Sequence, residues 1–319
     1  MRRLRRPGSL LWPAALIALA CTAPVAAADP TAADPTAAQP VAACAPALAA
    51  LAALAATAVP VGVPMLDWSE NVGYDAAGNL WVSRVYRNVV QRYDRSGALT
   101  ATVPVDFPGA VRSGPDGLLY VVYGDTPTSL VSPGGVVRFD PTAADPKPEV
   151  FVSGVRTMPN GAAFDADGYL YLGASLSGVI RVRPDGTIDT AWTDQAPKGS
   201  ANGVVVRGRM LYVTSNGGPL GRILRVPIDA PGATSVVADV ASPLPGIPDF
   251  TDDLLVDSSG ILYVTTVFGQ LVRVDPTTGA ACAVLSGEPL TSVVATPGQP
   301  DQLIAGTENG AVLRIQLPR

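Results

Sequence analysis

The stretch DADGYLYLGASLSGVIRVRPDG, residues 165–186, holds two short apolar runs, LYLGA and GVIRV, set between glycine-bearing turns. Asp165 and Gly168 supply hairpin chemistry, an acidic side chain to hold turn N–H groups and a glycine free to take positive φ, and the runs have strand length. One hairpin does not set a fold, but this one recurs. Leu-aromatic-Val runs, or close variants, start at Leu80, Leu119, Leu170, Leu211, Leu262 and Leu303, a period of about 45 residues. Most follow the same kind of turn: DAAGNLWV (75–82), GPDGLLYV (114–121), DSSGILYV (257–264). A second apolar strand with one arginine lies downstream in every unit, giving Arg92, Arg138, Arg181, Arg225, Arg273 and Arg314. A residue present in every unit of a repeat belongs to the construction of the unit, so the arginines read as structural. Fourth strands are expected at ALTATVPV, PEVFVSG, TIDTAWT (187–193) and CAVLSG. Four strands per unit, six times over, specify an all-β, six-bladed β-propeller. The last unit lacks a fourth strand, and TAVPVGVP (57–64) is the segment expected to supply it and close the ring, which removes exposed sheet edges.

Composition agrees. The 319 residues are 48% apolar and 15% charged, with 32 glycines, 31 prolines and a net charge of −5. That is enough for a large core, and no basic run suggests a nucleic-acid partner. Ahead of the propeller (57–319), Arg2, Arg3, Arg5 and Arg6, an apolar run from Leu10 to Ala20 and Ala26-Ala27-Ala28 read as a signal peptide over 1–28, which implies a secreted or periplasmic monomer with no membrane span once it is cut. A lipoprotein box ending at Cys21 is the alternative. Residues 29–56 form an Ala/Pro-rich arm, part of it helix-prone. Removal of the signal leaves Cys44 and Cys282, either paired across arm and propeller or both free and buried.

Function should sit where the repeats differ. Ten residues before each anchor leucine, at the start of the channel-lining strand, stand Glu70, Gly109, Asn160, Asp252 and Val293; in the shorter fourth unit Asn202 comes into line. Four blades thus offer an oxygen-bearing side chain at one register, with Asn71 and Asp253 as immediate neighbours. Oxygen-only donors suit a hard cation, calcium first. Asn-Gly pairs at 160–161 and 202–203 could instead be plain turns. No histidine occurs, which excludes histidine bases and histidine-ligated metals.

At these residues the chain, over 60–319, resembles the gluconolactonase, senescence-marker protein and luciferin-regenerating enzyme family of calcium-dependent propellers, and more distantly paraoxonases and strictosidine synthase. The resemblance implies Glu70, Asn202 and Asp252 as metal ligands, Asp252 (with Asp253 as second candidate) as catalytic base, and Asn160 near metal and substrate. Two departures stand out. The family's Glu-Gly-Pro is Glu70-Asn71-Val72, and the arginine usual two residues before the third-blade asparagine is Met158, which removes a donor to a sugar-like substrate. The expectation is a hydrolase opening a small-molecule lactone or related ester. A non-catalytic module with a structural metal, or a strictosidine-synthase-like enzyme, remains open.

Overall fold

The computed structural model describes residues 41–44, 54–216, 220–241 and 249–317, all within one unit, Pro35–Arg319. The signal peptide over 1–28 lies outside these residues, as does most of the arm.

The Leu-aromatic-Val strands explain how the blades stack. In blade 3, Leu170 and Leu172 pack into the cluster shared with blade 2, while Tyr171 between them packs into the cluster shared with blade 4. The same alternation sends Leu80 and Val82 one way and Trp81 the other, and Leu262 and Val264 one way and Tyr263 the other. Period-two geometry thus gives every blade two apolar faces, and six hydrophobic clusters fill the six interfaces. The repeat arginines stand directly opposite the central residue of this strand in all six blades, from Trp81↔Arg92 to Ile304↔Arg314. Arg92 lies over the Trp81 ring, and Arg181 over Trp192. Their place is the blade flank, as a structural role requires.

The turn aspartates do two jobs. Asp165 accepts from Tyr169 N at 2.9 Å with one oxygen and from the Tyr171 hydroxyl at 2.9 Å with the other, and Gly168 takes φ +83° beside it. Asp75 repeats this with Asn79 N and the Trp81 indole.

Among the described residues, five blades have four strands and the third has three. TIDTAWT is not a strand. Asp189 caps a one-turn helix, Thr190–Thr193, and pairs with Arg181 and Arg183, while Ile188 makes only an isolated bridge to Val182. Trp192 is driven inward, its indole donating to Ile228 O at 2.7 Å. Side-chain capping competes here with a strand ladder and prevails.

The closing strand is Leu54–Val59, antiparallel to Val312–Gln316. It begins three residues earlier than the sequence suggests, inside the arm, and ends at Val59 because Pro60 has no N–H to extend the ladder. Residues 54–56, read as helix-prone, are therefore strand: pairing with an otherwise bare edge outweighs alanine's propensity. Upstream, Cys44 is disulfide-bonded to Cys282, and Ala43 bridges Ala283 in parallel. No helix among the described residues is long and apolar enough to cross a membrane.

Candidate functional site

Glu70, Asn160 and Asp252 each occupy the second position of an innermost strand: Ser69–Tyr74, Pro159–Phe164 and Thr251–Val256. In each case the ladder slips there, between Ser69 and Asn71, Pro159 and Ala162, and Thr251 and Leu254. A bulge re-aims the side chain it contains. Asn202 stands two residues ahead of the fourth inner strand, Val204–Arg207.

Neighbouring inner strands are also stitched together at this level. Ala110 N donates to Asn160 O, Gly161 N to Asn202 O and Gly203 N to Asp252 O, at 2.9, 3.1 and 2.9 Å. The approach is so close that a Cβ on Gly161 would sit 2.2 Å from Asn202 O, and one on Gly203 2.8 Å from Asp252 O. The Asn-Gly pairs are therefore strand entries, not turns: glycine permits backbone contact between blades, and the preceding asparagine faces the site.

Asn160 Nδ2 donates to Glu70 Oε1 at 2.7 Å and to Asp125 Oδ2 at 2.8 Å, and the Trp68 indole donates to Glu70 Oε2 at 2.6 Å. Asp125 stands off the repeat register. It lies in the loop after the strand Leu119–Tyr123, where only an acidic residue inside an otherwise neutral loop, GDTPTSL, signals it. Glu70, Asp125 and Asp252 are all buried. Burial pushes each carboxyl above its ordinary range; the charge of Glu70 adds to this at Asp125 and Asp252, and that of Asp253 adds to it at Glu70. Glu308, from the sixth blade, is pushed up to about 7 by burial and by Glu70.

Asn71 and Asp253 lie apart from this group. Arg112 reaches across the channel to Asp253, Nη2 to Oδ2 at 3.1 Å, and donates to Asn71 Oδ1 at 2.6 Å and Ala162 O at 2.9 Å. Asn71 Nδ2 also donates to Asp253 Oδ2 at 3.2 Å. One guanidinium thereby ties blades 1, 2, 3 and 5 together. Blade 2 has Gly109 at the shared register and contributes instead through Arg112, three residues further on.

The donors fit a hard cation. Three carboxylates and two amides stand here, each from a different blade, with no sulfur or imidazole among them. Asp125 Oδ1 and Asn202 Oδ1 are buried without a hydrogen-bond partner, an arrangement that costs free energy unless something positive completes it. Among the described residues no three Asp, Glu, His or Cys side chains form a metal cluster by themselves, so Asn160 and Asn202 would have to complete the shell.

No family model matches the sequence, and neither does any curated protein. Solved structures do match. A gluconolactonase from Xanthomonas campestris superposes with a TM-score of 0.64 at 18% identity, covering 88% of this chain and 96% of that one. Regucalcin from Agrobacterium tumefaciens, described as a calcium-binding protein, gives 0.60 at 17% identity over 83% and 95%. A luciferin-regenerating enzyme gives 0.62 at 14% identity over 83% and 95%. Identities this low carry the shared fold.

Proposed function

We propose that this chain is an exported, divalent-cation-dependent hydrolase that opens a lactone or related ester at the channel end built by Glu70, Asp125, Asn160, Asn202 and Asp252. The observation that carries the reading is that, in a site of buried carboxylates and amides, Asp125 Oδ1 and Asn202 Oδ1 are buried with no hydrogen-bond partner. Calcium suits such an oxygen shell, and the calcium-binding description of one structural neighbour supports it. The Cys44–Cys282 bond favours export, since disulfides persist in oxidising compartments.

A bound cation would polarise the ester carbonyl and stabilise negative charge on its oxygen. The chain's own residues do the rest. Asp252, buried at the second position of its strand, would take a proton from water as the water oxygen bonds to the acyl carbon. The ring C–O bond breaks, and the same proton passes to the departing alkoxide oxygen, giving a hydroxy acid. Asn160 orients Glu70 and Asp125 through its two donated hydrogen bonds. Asp253, engaged with Arg112 and Asn71, holds the floor of the site rather than meeting water.

The test is a metal analysis of purified protein with a lactone and ester panel run on wild type and Asp252→Asn. Stoichiometric calcium and turnover that falls at least 100-fold in the variant are expected. Bound metal without turnover of any substrate would leave a structural-metal binding module as the function.

A further inference from the structure

The two ends of the propeller have different chemistry. In each antiparallel blade, the turns between first and second strands and between third and fourth lie at one end; the loops between second and third strands and between blades lie at the other. The first end is a rim of acidic and glycine turns such as those at Asp94, Asp165 and Asp257. The second end carries the proposed site, because Glu70, Asn160 and Asp252 begin their strands there and Asp125 sits in a loop there.

Twelve large hydrophobic side chains among the described residues are exposed, and nine of them lie on the loops of the site's end. Four are in residues 60–68 alone; the others are Tyr86, Leu130, Val131, Leu176 and Phe250. The remaining three are on outermost strands, and none is on a turn of the opposite end. Scattered exposed hydrophobics are ordinary, but segregation to one end is not. These loops also reach the site itself. Tyr86 packs edge-on against Trp68 at 5.6 Å, and the Trp68 indole holds Glu70. The Leu130 loop is joined to the entry of the Asn160 strand through Ser129 Oγ, which accepts from Met158 N at 2.9 Å. Phe250 stands two residues before Asp252.

From this asymmetry we infer that the substrate is an uncharged lactone or ester bearing a hydrocarbon chain, which lies along the apolar loops while its carbonyl enters the carboxylate site. The inference rests on the hydrolase reading given above. An anionic tail would lie on apolar loop side chains, which desolvate its charge without pairing it. A polyhydroxylated substrate would leave the apolar loops unused and its hydroxyls without partners there.

The experiment is a kcat/KM series on γ-lactones with alkyl chains of increasing length, set beside an aldonolactone. Values are expected to climb about two- to fourfold per added methylene over the first several carbons, and Leu130→Ser and Phe250→Ser should each flatten the climb. Val236→Ser, on an outermost strand, should leave the slope as in wild type. Hydrolysis that is abolished by Asp252→Asn yet indifferent to chain length, or that favours the aldonolactone, overturns the inference and leaves the hydrolase reading standing. Should no lactone turn over, the hydrolase reading fails, and calorimetry with uncleavable alkyl γ-lactams still decides the matter: affinity that grows with chain length supports an apolar ligand channel, and flat affinity overturns it. Adsorption to phosphatidylcholine vesicles with a flat chain-length series would assign the apolar loops to a lipid surface instead.

Discussion

Replacing Arg112 with methionine removes the one cation that faces Asp253 among the described residues and keeps most of the side chain's apolar bulk. Asp253 is 1% exposed, and beyond Arg112 its carboxylate has, among the described residues, the single weaker donor Asn71 Nδ2 at 3.2 Å. Removing one member of a buried ion pair costs about 3–5 kcal/mol, because the remaining charge is left desolvated. The hydrogen bonds to Asn71 Oδ1 and Ala162 O disappear as well, which places the expected loss toward the upper end. With an m-value of about 3 kcal/mol/M, that loss lowers the urea midpoint by about 1.3–1.7 M. The double variant Arg112→Met/Asp253→Leu should recover a large part of it, since the penalty lies in the stranded charge more than in the lost attraction. Urea unfolding followed by tryptophan fluorescence measures all three proteins. A single-variant loss under 1 kcal/mol, or a double variant no better than the single one, would show that the guanidinium does not neutralise the channel floor.

Gly161→Ala should cost about 3 kcal/mol or more in the same assay, since its Cβ meets backbone at 2.2 Å; Gly97→Ala, with nothing within 4 Å, should cost about 1 kcal/mol from backbone strain alone. Calcium at about 100 times its dissociation constant should stabilise by about 2.7 kcal/mol, or about 5–10 °C in melting temperature, and Glu70→Gln should abolish most of that shift. Without calcium, stability should fall as pH rises. Glu308 is pushed up to about 7 by burial and Glu70, and Asp125 and Asp252 stand well above ordinary carboxyls, so the folded state keeps protons that the unfolded chain has released by about pH 5. This contribution is complete below about pH 4 and is lost as pH rises through 7. Melting scans in EDTA at pH 5 and pH 8 check the sign, and a higher midpoint at pH 8 that Glu308→Gln leaves unaltered would contradict it.

The propeller was legible because its signals are local and repeated. A turn aspartate with a nearby glycine, then a Leu-aromatic-Val run, can be read six times without knowing what each strand touches. TIDTAWT misled because composition does not reveal that Asp189 is claimed by two arginines and a helix cap. Glu70, Asn160 and Asp252 could be aligned by counting from the anchor leucines, and the ladder does slip at all three. Asp125 and Arg112 could not be aligned, since one is in a loop of irregular length and the other is three residues off the register. Their partners, Asn160 for the first and Asp253 for the second, come from other blades, and no linear spacing encodes a meeting that only ring closure brings about.

Ring closure joins the two ends of the propeller sequence, so the closing strand must find a partner more than 250 residues away, a slow and entropically costly search. The Cys44–Cys282 bond changes that problem. Leu54 lies only ten positions after Cys44 in the sequence, so with Cys44 bonded to Cys282 a detached closing strand cannot travel far from its own edge. Opening of the ring becomes a brief local excursion, and the bare edge of the Val312–Gln316 strand is recaptured by its own chain before a second copy can pair with it. Reduction of this one bond should therefore show itself first as strand exchange between molecules, in the appearance of concentration-dependent dimers, before any loss of the blades themselves.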